Sequence, residues 1–237
     1  MFAAPRRLLP LARLTVPLCL ALCLANAAQA HENAPTRELA LLRDHLQASL
    51  EAMDQALARA AGELAGTGLI GPEASAVLSR LCAAEPLAID CSCIDRLGVM
   101  VLVEPSDFKM VEGSDISDQP QVAHIMRTAQ PVLSGMFRTV EGVHAVDLER
   151  PVLDKDGAYL GSVSVIFDPA HLVRKALAGS PAGVAGGPYL LQADGLVLHD
   201  PDPEGIGRVA DDPGRLATHW LEIGLHGATW RLGMGRP

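Results

Sequence analysis

Residues 36–65 carry apolar side chains at every third or fourth position, which is the spacing of one face of an α-helix. Pro35 precedes this stretch and Gly66-Thr67-Gly68 follows it, so both ends have residues that terminate helices. The pattern predicts a helix of about 45 Å, able to pack along two successive modules, to pair with a second chain, or both. A shorter helix is predicted over residues 73–83. The apolar positions of the long helix are Leu39, Leu42, Leu46, Leu50, Met53, Leu57, Ala61 and Leu64.

Beyond residue 88 the pattern changes to short runs rich in Val, Ile and Leu, separated by Gly-containing turn signals. Such runs predict antiparallel strands, because Gly supplies the positive φ that tight turns require. The order β-β-α-β-β-β predicts one antiparallel sheet with a helix on one face and a cavity between the two. The predicted strands cover residues 89–94, 99–104, 131–139, 143–152 and 159–167, and the predicted helix covers residues 118–129.

The last fifty residues repeat this plan in a shorter form. A brief helix is predicted over residues 171–177, followed by a linker rich in Gly, Pro and Ala at residues 179–187. After the linker come strands around the Asp194-Gly195 and His226-Gly227 turns. The predicted fold class is therefore α+β, with a long N-terminal helix followed by two antiparallel-sheet modules, the second smaller. The predicted segments are helices at 31–85, a first module at 86–178 and a second module at 188–237.

The first thirty residues resemble a secretory signal peptide. Basic residues come first, an apolar stretch follows at residues 14–24, and Ala28-Gln29-Ala30 provides a small-x-small cleavage site. We expect cleavage before His31 and a periplasmic or secreted protein, although retention of the segment as an anchor stays open.

The formal net charge of −9 argues against nucleic acid as a partner, because phosphate backbones attract Lys and Arg. Three cysteines follow the signal segment. Cys91 and Cys93 are two apart on a strand and point to one face, so they are not expected to bond to each other. Cys82 is the expected disulfide partner of one of them, and the remaining thiol would be buried or would join two chains.

No catalytic or metal-binding motif stands out. The eight histidines are scattered, and H-E-x-x-H, G-x-S-x-G and phosphate-loop motifs do not occur. We therefore expect neither an enzyme nor a bound cofactor or metal.

The turn motifs, in their order, resemble the Cache family, a PAS-like extracellular sensor fold. The resemblance covers residues 36–235 and indicates a double Cache domain. It implies that the first module binds a small metabolite, such as an amino acid, a carboxylate or an amine. The motifs are Asp95-Arg96-Leu97-Gly98, Gly113-Ser114-Asp115-Ile116-Ser117, Pro131-Val132-Leu133-Ser134, the Pro151–Gly157 turn with Gly161, and Ala193–Pro201 followed by Gly205-Ile206-Gly207.

Two departures from the family shape the functional expectation. Family members usually lie between two membrane helices and feed a kinase or chemoreceptor, whereas no such output follows in this sequence. The signal is therefore expected to pass to a partner, such as a membrane receptor or kinase. The amino-acid-binding members also carry Arg followed by Trp-Tyr, where this chain reads Gln119-Pro120-Gln121-Val122.

Several polar side chains could contact a ligand in the first module. His124 and Arg127 share one face of the predicted helix. Ser134, Met136 and Arg138 alternate along the predicted third strand, facing either the cavity or solvent. His144 and Asp147 face opposite ways on the fourth strand, so at most one lines the cavity. The resemblance also assigns Asp168 to a ligand amine, with capping of the following helix as the alternative.

These patterns predict an exported sensor or solute-binding protein that binds a small polar or anionic metabolite and signals through a partner. The main alternative is a ligand-free structural module that forms a homodimer through its long helix. A redox or metal-handling protein that uses Cys82, Cys91 and Cys93 is the second alternative.

Overall fold

The computed structural model describes residues 16–140, 142–178 and 187–235, with side chains from residue 37 onward. The chain divides into two compact units, residues 1–38 and residues 39–237. Part of the predicted signal segment, residues 1–15, and most of the predicted linker, residues 179–186, lie outside the described residues. Signal cleavage and the linker therefore stay predictions.

Two helices open the described chain, α1 at Val16–Thr67 and α2 at Pro72–Ala84. α1 ends close to its predicted end but begins well before residue 36. Its apolar stripe is buried as the period predicts, with Leu46, Leu50 and Leu57 wholly removed from solvent. None of the described helices is both long and apolar enough to span a bilayer.

The first module is an antiparallel sheet in which the last two strands lie at the centre. The strand order is β2-β1-β6-β5-β3, and β4 pairs with the same edge of β5 as β3 does. A 3₁₀ turn at Ser106–Val111 and helix α3 at Pro120–Thr128 connect β2 to β3, and α4 at Pro169–Ala178 follows β6. The strands are β1 Ala88–Asp95, β2 Met100–Glu104, β3 Val132–Leu133, β4 Phe137–Arg138, β5 His144–Leu153 and β6 Tyr159–Phe167.

The continuous strand predicted at residues 131–139 is wrong, because the chain breaks there into β3 and β4. At the break the Ser134 hydroxyl accepts a hydrogen bond from Asp147 N at 2.8 Å, and Ser134 N donates to Asp147 O. A side-chain oxygen thus replaces the carbonyl that a regular ladder would supply. The Met136 amide instead donates to Gln192 Oε1 of the second module at 3.0 Å.

The second module is a four-stranded antiparallel sheet of order β8-β7-β10-β9. It confirms the α+β fold with two antiparallel modules, the second smaller. Its elements are β7 Pro188–Gln192, β8 Val197–His199, a 3₁₀ turn at Pro203–Gly205, α5 Pro213–Leu216, β9 Ala217–Leu225 and β10 Ala228–Gly235.

One aliphatic core joins α1, α2 and one face of each sheet. Phe167 of β6 and Trp230 of β10 meet in it, with ring centroids 6.5 Å apart. Gly161 allows β6 to lie against β1 at the edge of this core, because a Cβ there would come within 2.2 Å of the Ile94 carbonyl oxygen. The two modules therefore share one core and depend on each other for burial of their apolar faces.

A buried ion cluster also ties α1 to both modules. Asp54 of α1 accepts two hydrogen bonds from Arg150 of β5, at 2.7 and 2.8 Å. His226, in the turn between β9 and β10, lies 2.7 Å from the same carboxylate. Burial opposes ionisation of Asp54, but the bonds to Arg150 and His226 outweigh it and lower the pKa of this carboxyl.

The three cysteines after the signal segment are free, so the expected disulfide is not formed. Cys91 and Cys93 point together into the aliphatic core, as their spacing on β1 predicts. The Cys82 thiol donates to the Glu104 carbonyl oxygen at 3.4 Å. The position of Cys82 on α2 relative to β1 is a tertiary feature that the sequence pattern does not contain.

Candidate ligand-binding site

The face of the first sheet that points away from the shared core is unusually polar. Ile166 of the central strand β6 pairs with Asp90 on one side and Asp147 on the other, so both carboxylates lie on this face. Ser164 likewise pairs with Ser92 and Glu149, two residues further along the same face. All of these polar residues are buried. A buried face of three carboxyl groups and several hydroxyls needs a functional or structural explanation.

A narrow, partly open cavity lies on this polar face, with about 280 Å³ of space when the part open to solvent is included. Asp147 is the only ionisable residue among its lining side chains, and no Lys, Arg or His contributes to the described lining. The cavity thus combines apolar walls with one carboxyl group and a few neutral polar groups. Its lining is Ser92, Ile94, Met100, Ile116, Gln119, Phe137, Thr139, Val140, Asp147, Ser164 and Ile166.

The backbone of Asp147 is held by Ser134 at the break between β3 and β4, which orients its side chain into the cavity. The Oδ1 atom of Asp147 is buried and makes no hydrogen bond within the described part of the structure. Burial raises the pKa of this carboxyl well above its usual range, and the adjacent Glu149 and Asp90 raise it further. Hydrogen bonds from the Ser164 hydroxyl and the Gln121 amide lower the pKa of Asp147 and so offset part of this increase. Asp147 therefore keeps its proton to a higher pH than an exposed aspartate does.

Glu149 lies next to Asp147 on the same face and accepts a hydrogen bond from the Ser162 hydroxyl. Burial raises the pKa of Glu149 to about 7, despite the opposing effect of this hydrogen bond. Glu149 therefore holds a proton over a pH range in which an exposed glutamate is ionised.

The raised pKa of Glu149 predicts that the protein loses stability as the pH rises from 5 to 7.5. The folded state binds a proton that the unfolded chain releases near pH 4.5, so stability is full below that pH and falls toward pH 7. We expect urea unfolding to show a loss of about 2 kcal/mol across this interval. Glu149→Gln should reduce the dependence and leave the part that Asp147 contributes, whereas a wild-type stability that is constant or rising would contradict the assignment.

The two helical candidates lie outside the cavity. Arg127 of α3 is exposed, and His124 is half-buried without lining the cavity. The buried face of α3 instead consists of Gln121, Val122 and Ile125. α3 therefore covers the polar sheet face with mainly apolar residues and one amide.

The candidate residues of the predicted third strand lie at different sites, because that strand is broken into β3 and β4. Ser134 holds the Asp147 backbone, whereas Met136 and Arg138 line a different space between the two modules. His144 lines that second space as well, and Asp147 lines the cavity. His144 and Asp147 thus face opposite ways, as the alternation along β5 predicts.

Asp168 lies at the start of α4 and not in the cavity lining. It accepts a hydrogen bond from Ala170 N at 2.8 Å and forms an ion pair with Arg174. This is the capping arrangement that the sequence offers as the alternative to a ligand contact.

The residues that sequence reasoning missed share a readable signal. In β1 and β6, Asp90, Ser92, Ser162 and Ser164 alternate with Cys or Val, and in β5 Asp147 and Glu149 flank Leu148. This period of two marks a second, polar face on three neighbouring strands. The signal is therefore present in the sequence, but it becomes a cluster only once the strand order is known.

Metal or thiol chemistry has little support in the described residues. They contain no group of three His, Cys, Asp or Glu side chains placed to hold a metal ion. Burial raises the pKa of Cys93 to about 12 and that of Cys91 higher still, and the neighbouring Cys82 contributes to the second effect. Protonated thiols in an apolar core are poor nucleophiles and poor ligands.

Two antiparallel modules carried by a long helix, with a polar cavity on the sheet of the first module, define a sensor domain of the double Cache type. The chain belongs to the family described as HK/GC/chemotaxis protein-like, sensor domain, whose model matches residues 48–169. The family is one of sensor domains and not of enzymes. No curated protein matches the sequence.

Solved structures with the same fold are ligand-binding parts of receptors. An extracellular ligand binding receptor from Desulfohalobium retbaense is 35% identical over 82% of this chain, with a TM-score of 0.72, and the chain spans 38% of that receptor. The ligand-binding domain of Pseudomonas fluorescens chemoreceptor CtaA, in complex with L-valine, is 16% identical with a TM-score of 0.65, over 83% of this chain and 93% of that domain. That of the Pseudomonas aeruginosa chemoreceptor PctC, in complex with GABA, is 17% identical with a TM-score of 0.67, over 84% and 96%.

Proposed function

We propose that this sensor domain binds a small amine in the first-module cavity, with the ligand ammonium group on Asp147. The observation that carries the proposal is the buried Asp147 Oδ1, which lines the cavity without a hydrogen-bond partner in the described structure. A buried polar atom of this kind costs free energy unless a partner fills its hydrogen-bonding capacity. An ammonium group supplies both a donor and the compensating charge.

The cavity lining disfavours the anionic ligand that the sequence alone suggests. A carboxylate or phosphate would meet Asp147 and the neighbouring Asp90 and Glu149 without a basic residue in the described lining to compensate. The Arg and Trp-Tyr positions that the amino-acid-binding members use are also Gln119-Pro120-Gln121-Val122 here. The favoured ligand is thus an amine with a short apolar body and without an obligatory carboxylate.

The ligands bound by the solved neighbours are consistent with this chemistry. L-valine, bound by CtaA, and GABA, bound by PctC, both carry an ammonium group. In this chain the ligand ammonium would compete with the proton of Asp147, whose pKa is raised. Binding should then release protons to solvent, so affinity should rise with pH.

The test is a calorimetric titration with a panel of alkylamines, together with their matched alcohols and carboxylates. We expect binding of amines only, proton release measured in two buffers of different ionisation enthalpy, and tighter binding at pH 8 than at pH 6. Asp147→Asn should weaken the binding at least tenfold, because a neutral amide cannot compensate the ligand charge.

Asp168→Asn is the matched control, since it changes an acid of the same module outside the cavity and asparagine also caps helices well. It should bind amines as the wild type does. Equal loss in both variants, or preference for the carboxylates, would contradict the proposal. No binding of any probe, with a stable dimer, would favour the ligand-free structural alternative.

The proposal also covers where the sensor acts and which protein responds to it. We infer that the protein acts outside the cytoplasm after export, with its signal segment cleaved before His31, and that a membrane receptor or kinase reads its ligand state. The proposal includes a homodimer in which two copies pair through the long helix α1. The name of the Desulfohalobium receptor supports an extracellular role, and the basic residues followed by an apolar stretch in the first thirty residues support export.

A further inference from the structure

A second open space lies between the two modules, away from the amine cavity. It measures about 680 Å³. The first module contributes Met136, Phe137, Arg138 and His144, and the second contributes Leu196, Ile206 and Gly207. We call this space the inter-module cleft. It is separate from the amine cavity because Arg138 and His144 point to the opposite face of the first sheet from Asp147.

The cleft carries two basic side chains at directly opposed positions. Arg138 of β4 pairs with His144 of β5 in the ladder, so their side chains leave the sheet next to each other. A guanidinium and an imidazole side by side can both donate hydrogen bonds to one anion placed between them. Among the described side chains, no carboxylate forms an ion pair with either residue. This occurs in a chain with 28 acidic and 19 basic residues, where acidic partners are abundant.

The rest of the cleft is apolar. Met136, Phe137, Leu196 and Ile206 are all half-buried and face the open space from both modules. An arginine and a histidine beside four apolar side chains form an amphipathic lining. Such a lining fits a molecule with one anionic head and a short hydrocarbon body.

The lining residues are held in place by contacts between the modules. Gln192 Oε1 accepts from the Met136 amide at 3.0 Å, and the Gln192 side chain lies so close to Gly135 that a Cβ there would be 3.0 Å from it. The Gln192 amide group also donates to Asp194 at 3.2 Å. The position of Met136 and Phe137 relative to Leu196 is thus set by hydrogen bonds as well as by packing.

We propose that the inter-module cleft is a second binding site, which takes a small amphipathic monocarboxylate. The Arg138 guanidinium binds the carboxylate with two parallel hydrogen bonds, and the His144 ring completes the contact. The hydrocarbon part lies against Met136, Leu196 and Ile206. This proposal does not depend on the amine site, since the charged groups of the two sites are different residues, lie on different faces of the sheet and have opposite charges.

The experiment is a calorimetric titration of the protein with hexanoate, 1-hexanol and acetate. Hexanoate has both the charge and the hydrocarbon chain, 1-hexanol lacks the charge, and acetate lacks the chain. We expect hexanoate to bind at least tenfold more tightly than either control molecule. Equal binding of 1-hexanol, equal binding of acetate, or no heat at 10 mM hexanoate would each overturn the proposal.

Two variants locate the site. Arg138→Gln should weaken hexanoate binding at least tenfold, and it is expected to fold because Arg138 is exposed. Arg127→Gln changes an equally exposed arginine of the same module outside the cleft, so it should bind hexanoate as the wild type does. Equal affinity of the Arg138 variant and the wild type would also overturn the proposal.

Asp147→Asn separates the two sites, because it should abolish amine binding and leave hexanoate binding unchanged. Loss of both ligands in this variant would mean that one site had been mistaken for two. Retained hexanoate binding in a protein that binds no amine would contradict the proposed function alone.

Discussion

Trp230→Ala should lower the free energy of unfolding by about 3–5 kcal/mol, which makes it one of the two most damaging single changes we expect. Trp230 is 1% exposed and lies in the core that both modules share, with its ring beside Phe167. Its removal leaves a large cavity between the second sheet and the first, because the long helix and both sheets cannot collapse together around it. Urea denaturation followed by circular dichroism measures the loss.

The other tryptophan is the matched control. Trp220 is half-buried in the same sheet, packs over Gly233 and has Arg231 near its ring at 5.9 Å. Trp220→Ala should cost only about 1 kcal/mol. Similar losses in the two variants would show that the shared core is not the main source of stability in the second module.

Asp54→Ala should cost about 2–4 kcal/mol, because it leaves Arg150 and His226 partly buried without the carboxylate that both contact. The side chains of Asp54 and His226 are only 12% and 16% exposed, so water cannot replace the lost partner. The change should also reduce the cooperativity of unfolding, since the cluster links α1 with both modules. A urea transition monitored by two probes, one in each module, would detect this.

An exposed ion pair of the same helix provides the comparison for Asp54. Glu63 and Arg80 join α1 to α2, with side chains 54% and 61% exposed, so Glu63→Ala should cost less than about 1 kcal/mol. The double change Asp54→Ala and Arg150→Met should recover part of the loss, because it removes the stranded cation as well. If the double variant is less stable than Asp54→Ala, the stranded charge is not the cause.

The helices and most strands could be predicted from the sequence because their patterns are local. The stripe from Leu39 to Leu64 has a helical period, and its leucines are buried as that period requires. The duplicated plan of the second module follows from its turns and runs in the same way. The early start of α1 at Val16 could not be predicted, since the residues before Pro35 match a signal segment equally well.

The break between β3 and β4 could not be predicted, because residues 131–139 have the composition of one strand. The break depends on two distant partners, Asp147 for Ser134 and Gln192 for Met136. Neither contact can be read from the sequence pattern near residues 131–139. Because of this break, Ser134 contacts Asp147, whereas Met136 and Arg138 line the inter-module cleft.

The sequence predicts a cavity between the helix and the sheet of the first module. The structure has a cavity on that sheet, but its described lining comes from the strands, the residues after β4 and the segment ahead of α3, and not from α3 itself. Its acidic surroundings come from three strands that are distant in sequence. The sequence pattern offers Asp147 only as the alternative to His144, and it does not single out Asp90 or Glu149. Cross-strand register, which no single strand encodes, brings those carboxyl groups together.

The ring of Phe137 borders both the amine cavity and the inter-module cleft. Any occupant that pushes this ring aside on one side enlarges its own space and narrows the other. The two-residue strand β4, which carries this ring, is therefore a wall that the two compartments share.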